Sequence, residues 1–167
     1  MSSVVILMGS ANDWEIMRET AAELDGLGVS WSAHVSSAHR SPERTVALVH
    51  EADAHGAHVF VCGAGMAAHL AGVVAAHTVR PVIGVPLPGG VAGGLDALLS
   101  TVQMPAGVPV ATVAVGKAGA RNAAVLAAEI LAVSDAELRD RLRQRRNEQA
   151  KKVEEADAQI LRDGERK

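Results

Sequence analysis

The sequence predicts an α/β chain: a parallel five-stranded sheet in the order 2-1-3-4-5, layered between helices, with a long C-terminal helix. Three observations predict it. Five short apolar runs alternate with stretches of helical periodicity. Most of these runs are apolar at successive positions, which requires cover on both faces, the setting of parallel strands with crossover helices. Hydrophobic residues make up 49% of the 167 positions but aromatics only 2%, so the core is built of Val, Ala, Leu and Ile. The 16 glycines favour close backbone packing and tight loops. A chain of this length forms one domain, 1–167, with the α/β core over 1–133 and the terminal helix within 134–167.

Each element has its own signal. Val4–Leu7 is a continuous apolar strand, followed by a helix from about Asp13 to Leu27 on which Ile16, Ala21, Leu24 and Leu27 share a face. Gly28 stops that helix, being tolerant of the left-handed conformation. Val29–Val35 alternates in part, as an edge strand can. Pro42 opens the second helix, which carries Val46, Leu48 and Val49 and ends near Gly56. His58–Cys62 is the third strand, and a small-residue helix spans about Ala67 to His77. Pro81–Val85 is the fourth strand; after a Gly/Pro-rich loop comes a helix at Leu95–Thr101, then a fifth strand at Val110–Val115. Ala118–Ala132 is an almost wholly aliphatic helix, and Ser134 or Asp135 caps the last one, which runs to about Arg162. With right-handed crossovers this is a flavodoxin-like three-layer arrangement.

Composition narrows the function. A net charge of −3 offers no electrostatic case for nucleic-acid binding. The segment 135–167 holds ten Lys/Arg and nine Asp/Glu, a salt-bridge-rich helix and not a basic arm. No signal peptide or membrane-spanning apolar run is present, so the expected location is the cytoplasm. Cys62 is the single cysteine and reads as buried packing in a strand, not as a nucleophile. Ala-rich helices leave shallow apolar faces that fit one another, so self-association is expected. On the last helix Leu138, Leu142, Gln149, Val153, Ala156 and Ile160 form a narrow stripe suited to a neighbouring subunit; packing along its own domain is the alternative.

Candidate chemistry gathers in the loops after the first three strands. Ser36-Ser37-Ala38-His39-Arg40-Ser41-Pro42 joins an imidazole, which gains and loses a proton near neutrality, to a guanidinium able to hold a phosphate by two hydrogen bonds. Met8-Gly9-Ser10-Ala11-Asn12-Asp13-Trp14 supplies a helix N-terminus with Ser10 and Asn12 as added donors; Asp13 either serves the ligand or caps the helix. This first loop is neither a P-loop nor a three-glycine dinucleotide fingerprint. The third loop, Gly63-Ala64-Gly65-Met66-Ala67-Ala68-His69, lets backbone approach a ligand, and His69 is either a site residue or helix-end packing. No set of Cys, His, Asp and Glu converges on a metal, and no Gly-x-Ser-x-Gly elbow supports a serine nucleophile.

These loops, in their order, resemble the class I N5-carboxyaminoimidazole ribonucleotide mutases of purine biosynthesis. Matching pieces include Met8-Gly9-Ser10 with Asp13-Trp14, Ser37-Ala38-His39-Arg40, Ala67-Ala68-His69-Leu70, Pro81-Val82-Ile83-Gly84-Val85-Pro86, Val102-Gln103-Met104-Pro105 and Gly116-Lys117-Ala118-Gly119-Ala120. The resemblance runs from about residue 4 to 133. It implies transfer of a carboxylate from the exocyclic nitrogen of an aminoimidazole ribonucleotide to ring carbon C4, without metal, ATP, biotin or other cofactor, by a homo-octamer. It implies His39 as the proton-transfer histidine and His69 as a second active-site histidine. Gly9, Ser10, Asn12, Asp13, Ser37, Arg40, Gly65 and Leu70 form the implied substrate-binding set. Asn12, Met66, Ala71, Gly89, Gly90, Gly93 and Ala97 depart from the residues usual at their positions. Two rivals stand beside this reading: a direct aminoimidazole ribonucleotide carboxylase of the class II type, and a flavodoxin-like binding module without catalysis.

Overall fold

The structure is a computed structural model and describes residues 2–164; positions 165–167 of the expected terminal segment lie outside the described residues. Five parallel strands, β1 (Val4–Met8), β2 (Trp31–Val35), β3 (Val59–Ala64), β4 (Val82–Pro86) and β5 (Ala111–Thr112), form one sheet in the order β2-β1-β3-β4-β5. The order is the expected one. Helices α1 (Trp14–Gly26), α2 (Pro42–Ala54), α3 (Leu70–Ala76), α4 (Leu95–Val102) and α5 (Lys117–Leu131) flank it, and α6 (Ala136–Gly164) follows.

Successive strand residues face opposite layers, so a fully apolar strand serves two cores at once. Val4, Ile6 and Met8 of β1, with Val59 and Val61 of β3, pack against Met17, Ala21 and Leu24 of α1 and the alanines of α5. Val5, Leu7, Phe60 and Cys62 face the other way, onto Val49 of α2 and Leu70, Ala71 and Val74 of α3. Thr20 binds the two helices of the first layer by donating its hydroxyl to the Ala120 carbonyl at 2.8 Å, in full burial. Cys62 is buried and unbridged, and burial pushes its thiol far above the usual range, which leaves it inert packing.

Several boundaries differ from expectation, β2 starting at Trp31 and not Val29 and β4 shifting to Val82–Pro86 among them, and three differ for a clear physical reason. β3 runs two residues further, through Gly63 and Ala64, because these continue the ladder opposite Met8 on one side and Val85 and Pro86 on the other. β5 shrinks to Ala111–Thr112: beyond Gly84 its partner β4 ends at Pro86, which has no N–H to give. The third helix starts at Leu70, not Ala67, which leaves His69 at its N-cap.

The terminal helix corrects part of the expected stripe. Leu138 and Leu142 are buried in the chain's own core. Asp135 caps α6 by accepting the Leu138 N–H. Arg141 donates to the Leu27 carbonyl at 2.9 Å and Arg145 to Glu23 at 2.6 Å, pinning its first turns to the end of α1. Val153 and Ile160, further along, are exposed. Among the described residues no helix is long and apolar enough to cross a membrane.

Candidate active site

The site lies at the C-terminal edge of β1, β2 and β3, beside the switch point between β1 and β3 where strand order reverses. The loops after these strands enclose a cleft of about 450 Å³. Gly9, Ser10, Asp13, Ser37, His39, Arg40, Gly65, His69 and Leu70 all line it, with Ala38, Ala64, Met66 and Ala67. Asn12 of the implied binding set does not line it; Asn12 is exposed, and its N–H donates to Ser10 Oγ at 3.3 Å. A larger share of the chain's histidine stays elsewhere: His50 and His77 meet edge-on between α2 and α3, away from the cleft.

The first loop is self-contained. Ser10 caps a single 3-10 turn (Ala11–Asp13) and Asp13 closes the reciprocal capping box, its Oδ2 accepting the Ser10 N–H at 2.9 Å. Both readings of Asp13 therefore meet in one side chain, since it caps the turn and also faces the cleft. The consequence for anion binding is direct. The N–H groups of Ser10, Asn12 and Asp13 are occupied within the loop, so the helix N-terminus expected to hold an anion has little left to offer. Burial raises the Asp13 carboxyl above the ordinary 3.8, opposed by the Ser10 N–H, the Arg40 charge and the Gly9 N–H.

The second loop carries the cations and is fastened twice. Ser36, buried, shares a hydrogen bond of 2.8 Å with Thr45 of α2. Ser37 and Ser41 exchange bonds: the Ser37 N–H donates to Ser41 Oγ at 3.1 Å, and the Ser41 hydroxyl donates to the Ser37 carbonyl at 3.2 Å. Arg40 then reaches across, donating from Nη2 to the Gly9 carbonyl at 2.9 Å and from Nε to Ser37 Oγ at 3.4 Å. A guanidinium has five N–H donors. The two used here aim the side chain at the mouth of the first loop and leave its remaining edge for an anion.

The third loop brings the second histidine. His39 Nε2 and His69 Nδ1 lie 2.8 Å apart, with the rings edge-on at 4.9 Å between centroids. One ring nitrogen must donate and the other accept, so the bond holds a single proton and the pair acts as one relay. Both rings are exposed to the cleft side of the molecule. Ala38, Ala64, Ala67 and Leu70 add apolar surface to the same cleft. The arrangement can anchor an anionic small molecule at Arg40 and pass one proton to and from it. Among the described residues no group of three or more His, Cys, Asp or Glu could hold a metal ion.

The Arg40 bridge to Gly9 and the 2.8 Å imidazole pair were not derivable from spacing, because both join loops 30 or more residues apart. The Ser36–Thr45 brace left a faint trace, as two serines stand just before the histidine and a threonine one turn into the helix behind it.

Comparison with known proteins gives concordant results. A sequence model of the AIR carboxylase family matches residues 3–152. An N5-carboxyaminoimidazole ribonucleotide mutase of Brucella melitensis biotype 1 is 51% identical over 152 residues, covering 91% of this chain and 94% of its own. A protein of the same name from Saccharolobus solfataricus is 52% identical over 143 residues, covering 86% and 89%. A crystal structure of Treponema denticola PurE superposes with a TM-score of 0.86 at 30% identity, covering 93% of this chain and 96% of that one.

Proposed function

The chain belongs to the AIR carboxylase family, and from that premise we propose that it is an intramolecular mutase. Its reaction converts N5-carboxyaminoimidazole ribonucleotide to 4-carboxy-5-aminoimidazole ribonucleotide in purine biosynthesis, on the route to inosine monophosphate. The observation that carries the reading is the His39–His69 bond of 2.8 Å in the same cleft as Arg40: a proton relay next to an anion anchor.

The chemistry follows from these groups. The carbamate C–N bond breaks, releasing carbon dioxide while the exocyclic nitrogen gains a proton. The electron-rich ring carbon C4 attacks the carbon dioxide. The new C–C bond leaves C4 with an extra proton, whose removal restores aromaticity. One proton is delivered and one withdrawn, so a single relay that returns to its starting state suffices. His39 exchanges the proton and His69 orients it; Arg40, with the hydroxyls of Ser10 and Ser37, holds the phosphate. The Ala and Leu wall keeps carbon dioxide beside C4, a matter of holding two reactants together. No cofactor takes part.

A second reading, direct carboxylation of the free amine, draws support from the carboxylase description of the family model. The discriminating assay follows ultraviolet absorbance without ATP, for wild type and His39→Asn, with each substrate in turn. Rapid use of the carbamate, slow bicarbonate-dependent use of the amine, and loss of turnover in the variant are expected. The reverse ranking of substrates establishes the carboxylase, and a chain inert to both leaves only a binding module.

The same reading extends to assembly and place. Val91, Leu95, Leu99 and Val102 expose an apolar stripe on and before α4, which supports self-association; the form proposed is an octamer, acting in the cytoplasm. Light scattering that returns the mass of one chain would exclude it.

A further inference from the structure

Met66 carries two costs that nothing else in the free chain offsets. Its φ of 56° is left-handed, a region that favours glycine and strains a long side chain; among the described residues only Ala92 shares this among non-glycines. Its side chain is also 66% exposed, so the strain is not compensated by burial. Yet Met66 lines the cleft, between Gly65 and Ala67 and on the same loop as His69. Backbone strain at a cleft points to a constraint that acts when the cleft is filled.

Resting on the reaction proposed above, we infer that Met66 is a substrate-contacting residue that folds over the aminoimidazole ring and closes the cleft against water. The chemistry of the side chain fits the task. A thioether on three rotatable bonds adapts to an irregular gap and packs favourably on an aromatic face. An exposed apolar group beside an open cleft gains burial only when a ligand arrives, so its contribution appears in binding. Ser10, Asp13, Ser37 and Arg40 give the cleft its polar contacts, and Met66 is the one large apolar side chain of its lining that is exposed. Released carbon dioxide is itself apolar, and a flexible apolar cover slows its escape.

The test compares full-length wild type with Met66→Gly, Met66→Leu and Met66→Gln on the carbamate substrate. It reads KM, kcat, melting temperature and the fraction of free amine released per carboxylated product. Met66→Gly is expected to melt at or above wild type, because glycine relieves the left-handed strain. Its KM is expected to rise about tenfold, the scale of losing most of one apolar side chain's burial, with more free amine. Met66→Leu should stay within about threefold of wild type, since volume and apolarity are kept. Met66→Gln, equal in length but polar, should behave as Met66→Gly in KM without its gain in melting temperature. A Met66→Gly or Met66→Gln enzyme with wild-type KM and wild-type amine release overturns the inference while leaving the mutase reading intact. A wild-type chain inert toward the carbamate overturns both.

Discussion

Replacing each histidine of the pair separately divides their roles. His39→Asn removes the group assigned to exchange the proton, and loss of a general acid/base costs about 10²- to 10⁴-fold in kcat. His69→Asn removes only the partner ring. The bond it breaks spans 2.8 Å between two exposed rings, so water can take its place and no buried group is left unpaired. A net bond of this kind is worth about 0.5–1.5 kcal/mol, which corresponds to roughly a two- to twelvefold fall in kcat. Asparagine keeps a polar atom near the former Nδ1, which holds the loss toward the lower end. Because the rings act as one relay, the double variant should be no worse than His39→Asn alone. The assay is the absorbance change on the carbamate at saturating substrate, with far-ultraviolet circular dichroism to confirm folding. If His69→Asn falls by the larger factor and His39→Asn by the smaller, His69 carries the proton and the assignment is reversed. If His39→Asn retains more than a tenth of wild-type kcat, His39 is not the general acid/base.

Three further outcomes are expected. Arg40→Ala should raise KM about 10- to 150-fold, from losing a charge-assisted contact of about 1.5–3 kcal/mol, and an unchanged KM places the phosphate elsewhere. Gly63→Ala should cost about 1–3 kcal/mol in urea unfolding, because its new Cβ would collide with the Met17 sulfur of α1; wild-type stability would show that Met17 swings clear. For Asp13→Asn the sign follows from burial: the folded carboxyl titrates above the ordinary 3.8, so the unfolded chain releases its proton first and stability falls as pH rises through that window. Asparagine still accepts the Ser10 N–H without charge. Its urea midpoint should therefore exceed wild type at pH 7 and converge with it as pH falls well below 3.8; a lower midpoint at pH 7 would show that the ionised form is favoured.

What the sequence made legible depended on how local each signal was. Strand order and helix placement were readable because continuous apolar runs, Pro42 and Gly28 act within a few residues. The ends of strands were less so. Nothing near Gly63 announces that it stays in the ladder; that follows from Met8 and Val85 standing beside it in space. β5 was read too long because Val113 and Val115 look like strand residues, whereas the limit is set by a proline in a different strand. The terminal helix shows the same division. Its apolar stripe was visible, but only the Arg141 and Arg145 contacts to α1 determine that its first turns, Leu138 and Leu142, belong to the chain's own core. In the site, the residue types were legible and the pairing was not. Sequence placed Ser10 and Asp13 together in one loop, with Asp13 either a ligand group or a cap, while in the fold the two spend much of their capacity on each other.

That last point changes where affinity must come from. A first loop in which the N–H groups of Ser10, Asn12 and Asp13 are occupied has less to offer an anion, which shifts the burden toward the second loop. There, a buried Ser36–Thr45 bond fixes the chain to α2, the Ser37–Ser41 exchange fixes the turn, Arg40 grips the first loop and His39 the third. Seven consecutive residues therefore determine the distance between anion anchor and proton relay. Loosening the brace should disturb both functions together, even though Ser36 and Thr45 do not line the cleft. Thr45→Val keeps the shape but strands the buried Ser36 hydroxyl. It should lower kcat and raise KM in one step, whereas a change to Arg40 or His39 alone moves chiefly one of them.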